Sequence, residues 1–205
     1  AGIPVTREVL ARDEEAAVRA AQDIGFPVVL KIASPDIQHK SDIGGVRVNL
    51  ADAAQVRDGY RTMMERVRKA APQAKLDGVV VAQMVKGGVE TILGVNRDPV
   101  FGPVVMFGIG GVFVEAFKDV AFRVAPFGVE EARAMINEVK GRVMLTGLRG
   151  QPPADEEALA QAIAKLSVFA AAHADAIETI DVNPFVVLPK GQGAVALDAL
   201  IIRKP

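Results

Sequence analysis

The sequence predicts a mixed α+β or α/β body, built as one compact unit or as one unit with two lobes. Short β-branched apolar runs alternate with stretches of helical periodicity along the chain. Glycines and prolines such as Pro72, Gly87, Gly88, Gly108, Gly110 and Gly111 punctuate these runs. A length of 205 residues with 50% hydrophobic and 24% charged content supports a sizeable core and excludes a disordered or collagen-like chain.

Residues 6–11 alternate as a short strand does. Asp13 then caps a helix whose first turn holds Glu14 and Glu15, where the helix dipole favours acids, and Gly25 ends it. Residues 27–32 are β-branched and apolar around a single Lys31, the pattern of a buried strand. Ser34-Pro35-Asp36 forces a turn. A polar stretch from His39 to the Gly44-Gly45 pair leads into an alternating strand over 46–50. Asp52 caps the next helix, whose apolar stripe is Val56, Tyr60, Met63, Met64 and Val67 and which ends near Pro72. Strand patterns follow over 78–85, 89–95, 103–107 and 121–126, then a helix over 128–139. A proline-rich turn at 150–153 precedes a helix over about 155–172 with Leu159, Ile163, Leu166 and Ala170 on one face. The end is a hairpin of strands 177–188 and 194–202 joined through Lys190-Gly191-Gln192-Gly193.

Several function classes are excluded by composition. Lys and Arg number 24 against 25 Asp and Glu, so the net charge of -1 gives no general attraction to nucleic acid or an anionic membrane. Any phosphate recognition must be local. Without cysteine there is no disulfide framework or thiolate metal site, which suits a reducing cytoplasm. His39 and His173 are too few for a multi-histidine zinc site, and His173 reads as a cation at a helix C-terminus. The longest uncharged stretch, Pro99 to Val114, falls short of the roughly 20 residues of a membrane helix. The start, Ala-Gly-Ile-Pro, has neither an initiator methionine nor a basic-then-apolar leader, so the chain reads as a piece of something longer.

The terminal hairpin offers candidate metal ligands. With a loop of two or four residues, Phe185 lies opposite Asp198, and Asp181, Asn183 and Asp198 share one face. Asn183 and Asp198 are then diagonal neighbours about 7 Å apart at the backbone, within reach of one ion. Few, hard oxygen donors favour Mg²⁺, which takes further ligands from phosphates and water. The alternative is the wet face of an edge hairpin, and a three-residue loop would put Asp198 on the other face. Lys31, a lone cation in an apolar strand, either reaches solvent or meets a carboxylate or phosphate. His39, beside Lys40 and the glycine pair, is either a phosphoryl acceptor with Lys40 and glycine amides as charge stabilisers, or an exposed loop histidine. Phe107-Gly108-Ile109-Gly110-Gly111 suits a phosphate loop or close backbone packing equally, and lacks the Lys-Ser/Thr ending of a P-loop. Glu90, Glu115 and Arg123 sit in strand patterns nearby and face either a cleft or water.

Together these segments resemble a known family. Val-Val-Leu-Lys-Ile at 28–32, Ser-Pro-Asp-Ile-Gln-His-Lys-Ser-Asp-Ile-Gly-Gly-Val at 34–46, the glycine-rich run at 101–115, and Asp-Val-Asn-Pro-Phe at 181–185 followed by Ala-Leu-Asp at 196–198 are similar, in order, to the ATP-grasp part of ADP-forming acyl-CoA synthetases (acetate-CoA ligases), relatives of the succinyl-CoA synthetase β subunit. The resemblance implies an ATP-grasp fold, with a smaller lobe of about 1–82 and a larger one of 83–205 and ATP or ADP in a cleft between them. It implies Lys31 and Lys40 near the phosphates, Gln83, Met84 and Val85 along adenine, Glu90 near ribose or phosphates, and Asn183 and Asp198 on Mg²⁺ with Asp181 nearby. His39 matches the family histidine that relays phosphate to ADP from a second histidine in the CoA-binding part. Ala82 and Gln83 depart from the Gln followed by Glu or Pro common in relatives. No segment resembles the CoA-binding domains, so the implied partner is a CoA-binding domain or α subunit, and this chain supports the nucleotide half-reaction only. Two other roles fit the same residues: an ATP-grasp ligase forming an acyl phosphate directly, with His39 structural, or a nucleotide-sensing domain fused to an acyltransferase.

Overall fold

The computed structural model describes residues 1–37, 39–111 and 118–204, which leaves Glu115, the end of the glycine-rich run and Gln38 outside the described residues. The chain forms two units, residues 6–86 and residues 1–5 with 87–205. This differs from the expected boundary at both ends. The strand that ends at Gln83 still belongs to the smaller unit, and the Gln83 N–H donates to the Arg7 carbonyl at 3.0 Å. The first five residues join the larger unit, because Ala196 N–H donates to the Pro4 carbonyl at 2.9 Å and Lys165 Nζ donates to the Gly2 carbonyl at 3.1 Å.

The smaller unit runs β1 (Glu8–Ala11), α1 (Glu14–Ile24), β2 (Val28–Ala33), β3 (Val46–Leu50), α2 (Ala53–Ala70) and β4 (Gly78–Gln83). Both helices start where their caps dictate. Asp13 Oδ1 accepts from Ala16 N–H at 2.7 Å, and Asp52 Oδ1 accepts from Gln55 N–H at 2.8 Å. The strands form an antiparallel sheet in the order β1-β4-β2-β3. Val28, Leu30 and Ile32 alternate into a core with Val56, Met63 and Val67 of α2 and Ala17, Val18 and Ala21 of α1. Alternation puts Val29 and Lys31 on the face away from the helices.

The larger unit continues with β5 (Val89–Asp98), β6 (Gly102–Ile109), β7 (Val120–Val124), α3 (Val129–Glu138), 3-10 turns at Lys140–Thr146 and Leu148–Gly150, α4 (Glu156–Ala172), β8 (Ile177–Val187), β9 (Ala194–Ala196) and β10 (Ala199–Arg203). The sheet order is β10-β8-β5-β6-β7, with β9 also paired to β8, all antiparallel. β5 and β6 extend beyond their apolar runs because the Asp98 carboxylate accepts from Val100 and Phe101 N–H at 2.8 and 2.9 Å and closes a tight hairpin. These two donors, Phe101 first, hold its carboxyl below the usual range. Leu93, Val95, Val105, Phe107, Ile180 and Val182 pack with Met135 and Ile136 of α3 and Leu159, Ile163 and Leu166 of α4. The other sheet face carries the cross-strand row Leu200, Asp181, Gly94, Met106 and Phe122. Among the described residues no helix is long and apolar enough to cross a membrane.

Candidate functional site

The candidate residues fall into one group on each unit. In the smaller unit Lys31 is only 9% exposed, and its Nζ donates to Glu8 Oε1 at 2.8 Å. Of the fates open to this ammonium, the strand selects a carboxylate. Glu8 is drawn from β1, on the far side of β4, and Thr6 Oγ1 donates to the same oxygen at 3.2 Å.

His39 is exposed and Lys40 half-buried, in a loop closed by short backbone bonds. Gly44 N–H donates to the Ser41 carbonyl at 3.1 Å and Gly45 N–H to the Lys40 carbonyl at 2.7 Å. Both glycine amides are therefore committed within the loop. The glycines serve packing. A Cβ on Gly45 would meet Ile32 Cγ2 at 2.5 Å, and one on Gly44, at φ +69°, would meet Arg66 Nε at 2.5 Å. The Gly45 carbonyl accepts from Ile32 N–H at 2.7 Å, so the loop is pinned one residue from Lys31. At its other end the Asp36 carboxylate accepts from Lys75 N–H at 2.7 Å. Gln83 closes β4 exposed, and Met84 and Val85 continue half-buried outside any strand.

In the larger unit Glu90 is exposed on β5, and its carbonyl accepts from Gly110 N–H at 2.9 Å. A Cβ on Gly110 would stand 3.1 Å from that oxygen, so close packing accounts for this glycine. The hairpin register corrects the sequence expectation. Phe185 pairs with Ala196 rather than Asp198. Leu188 N–H bonds the Gly193 carbonyl at 3.0 Å, so the loop closes one residue earlier than expected, at Pro189–Gln192. β10 keeps the same register, Ala199 opposite Val182 and Leu200 opposite Asp181, while Leu197 and Asp198 lie between β9 and β10 outside any strand, a break in the single strand expected over 194–202. Asn183 N–H donates to the Asp198 carbonyl at 3.2 Å. That bond joins the two residues directly, where the sequence makes them diagonal neighbours. Asp181 precedes Asn183 by two residues on the helix-free face. A bulge between the Thr91 and Leu93 pairings of β5 with β8 then returns Phe185 to the core.

Among the described residues no group of three or more His, Asp or Glu side chains could hold a metal. The candidate set has two carboxylates and one amide. Arg123 lies in an ion-pair cluster with Glu131, at 2.5 Å, and with Glu138, whose carboxylates push its pKa up. Its role is structural. His173 caps α4 and packs against Phe169 in a tilted arrangement, ring centroids 4.4 Å apart. A cavity of about 600 Å³ lined by Phe127, Lys165, Val168 and Phe169 holds none of the candidates. The contacts of Glu8 and Arg66 escape sequence analysis, because neither spacing nor composition links them to positions 31 and 44.

A family model described as an ATP-grasp domain matches residues 1–202. The chain belongs to the ATP-grasp family. Within it the chain is 47% identical over 201 residues to the β subunit of acetate–CoA ligase [ADP-forming] I of Pyrococcus furiosus, covering 98% of this chain and 85% of that one. It is 44% identical over 200 residues to the 4-hydroxybutyrate–CoA ligase [ADP-forming] of Nitrosopumilus maritimus, covering 98% of this chain but 28% of the ligase. The ATP-grasp fold superposes with a TM-score of 0.95 and 48% identity on Ca. Korarchaeum cryptofilum dinucleotide forming acetyl-coenzyme A synthetase 1 in complex with coenzyme A, Ca-AMPCP and HgCl+, covering 99% of this chain and 87% of that one. The chain thus spans most of the Pyrococcus furiosus β subunit and less than a third of the Nitrosopumilus maritimus ligase.

Proposed function

We propose that this chain is the nucleotide half of an ADP-forming acyl-CoA synthetase, an enzyme that interconverts acyl-CoA, ADP and phosphate with carboxylate, CoA and ATP. The observation that supports the proposal is the backbone bond of the terminal hairpin that brings Asn183 N–H onto the Asp198 carbonyl, with Asp181 two residues before Asn183 on β8. Few, hard oxygen donors of this kind fit a cation that keeps waters and phosphate oxygens as its other ligands. Asn183 and Asp198 hold Mg²⁺ in this reading, with Asp181 beside them. The metal supplies charge neutralisation on the phosphates.

The remaining work falls to the chain's own side chains. Lys31 binds phosphate oxygens, and its buried position makes that attraction stronger than in water. Gln83, Met84 and Val85 line the base, and Glu90 binds near ribose or phosphates. A ring nitrogen of neutral His39 attacks the γ-phosphorus, the bond to the β-phosphate oxygen breaks, ADP leaves, and the other ring nitrogen releases its proton to water. Lys40 is placed to offset the charge of the phosphoryl group on His39. Such catalysis is alignment and charge neutralisation, for which an exposed histidine on a pinned loop is suited. Relatives named as β subunits support a partner subunit or domain that binds CoA and carries the carboxylate site. The cysteine-free composition supports a cytoplasmic setting.

The test is intact-mass spectrometry at neutral to basic pH after incubating the full chain with MgATP. An acid-labile phosphate on the wild type that is absent from His39→Ala and from Asp198→Ala is the expected result. A chain that binds MgATP in calorimetry yet carries no phosphate, with or without the CoA-binding partner, removes His39 from the pathway.

A further inference from the structure

The pairing of Lys31 with Glu8 is asymmetric. The Lys31 side chain is 11% exposed and its partner's 39%. The ammonium is fixed in the central part of its sheet, whereas the carboxylate comes from the edge strand β1 across β4. An anion in contact with water can leave at little cost, because solvent replaces the lost attraction. A buried cation cannot follow it. Glu8 Oε1 accepts one of the three ammonium hydrogens at 2.8 Å, and a phosphate oxygen that replaced it would accept the same hydrogen. Thr6, 6% exposed, holds the same Glu8 oxygen with its hydroxyl.

We infer that Glu8 is the resident counterion that Lys31 exchanges for nucleotide phosphate, and that this exchange makes Glu8 a determinant of polyphosphate affinity. The inference rests on the nucleotide reading above. Without phosphate, Glu8 keeps the buried ammonium paired. On binding, the carboxylate turns to solvent and the phosphate replaces it without leaving a buried charge alone. The free-energy cost of detaching Glu8 is subtracted from every phosphate-bearing ligand and from no neutral one.

Titration calorimetry on the full chain with MgATP, MgADP and adenosine tests this, with thermal unfolding as the check on folding. Glu8→Gln removes the competing charge and is expected to tighten MgATP and MgADP about two- to fivefold, the range of a partly exposed ion pair, and to leave adenosine unchanged. Glu8→Asp, which keeps the charge on a shorter arm, falls between and remains informative if the glutamine variant folds poorly. In a Lys31→Ala background the Glu8→Gln gain vanishes. Glu14→Gln on α1 makes the same change of net charge away from Lys31 and serves as control. An equal gain from Glu14→Gln, or weaker MgATP binding by Glu8→Gln while Lys31→Ala also weakens it, overturns the exchange and leaves Glu8 as support. If Lys31→Ala binds MgATP like the wild type, the nucleotide role of Lys31 fails first, and the exchange with it.

Discussion

At the N-terminus of α4 the Asp155 carboxylate accepts from Ala158 N–H at 3.2 Å with one oxygen and from Gly191 and Gly193 N–H at 2.9 and 3.0 Å with the other. A helix cap is thereby also the brace of the loop between β8 and β9. Burial pushes this carboxyl up, but the three amide donors, from Gly193, Ala158 and Gly191, outweigh it and hold the pKa below the usual range. A pKa lowered by folding means stability that is present above the unfolded value, about 3.9, and is lost as pH falls through the folded value. Asp155→Asn keeps one acceptor and loses the charge. Chemical denaturation at pH 7 should show it less stable than wild type by about 0.5–2 kcal/mol. The difference should shrink as pH falls through the lowered pKa of the folded wild-type carboxyl, and a difference independent of pH would refute the charge argument.

Most strands and helices are legible in the sequence because their signals are local, a cap three residues from its amide or an apolar period within one turn or pleat, whereas the break of the expected 194–202 strand into β9 and β10 is not. The capping of α1 by Asp13 and of α2 by Asp52 are examples. The register of β8 is not local, and one residue of loop length moves every pairing. It is set by Asp155 on the loop from outside the hairpin, and by the bulge where Thr91, fully buried, donates its hydroxyl to the Phe185 carbonyl at 2.7 Å. The placement of Asp181 and Asn183 on one face of β8 is readable from period-two alternation, but the direct approach of Asp198 to Asn183 is not. Glu8 and Arg66 were hidden for the same reason, since their partners are set by strand order and helix packing. Thr91→Val keeps the shape and removes the bond at the bulge. It should cost about 1–3 kcal/mol in urea unfolding and weaken MgATP binding, since the bulge aims Asn183. Thr91→Ser retains the hydroxyl and should recover most of the binding. Normal binding by the valine variant would separate the bulge from the metal-ligand geometry.

Among the described residues the buried apolar side chains segregate into two cores, one around Leu30, Ile32, Met63 and Val79 and the other around Phe107, Phe185, Leu159 and Ile163. The smaller unit is an insertion, since residues 1–5 pack with 87–205 on either side of it in sequence. An inserted unit with its own core can open without unravelling its host. Leu30→Ala, at a site with no exposure, should cost about 2–5 kcal/mol, and Phe107→Ala about 3–5 kcal/mol. Hydrogen exchange read by mass spectrometry should show Leu30→Ala accelerating exchange across 6–86 while 87–204 stays protected, and Phe107→Ala doing the reverse. Ala196, whose N–H bonds the Pro4 carbonyl across the insertion, is the sharpest reporter. It should stay protected in Leu30→Ala, because that bond depends on the larger unit folding around the chain's first residues and not on the unit inserted after them. Loss of protection at Ala196 in Leu30→Ala would mean that the two cores open as one.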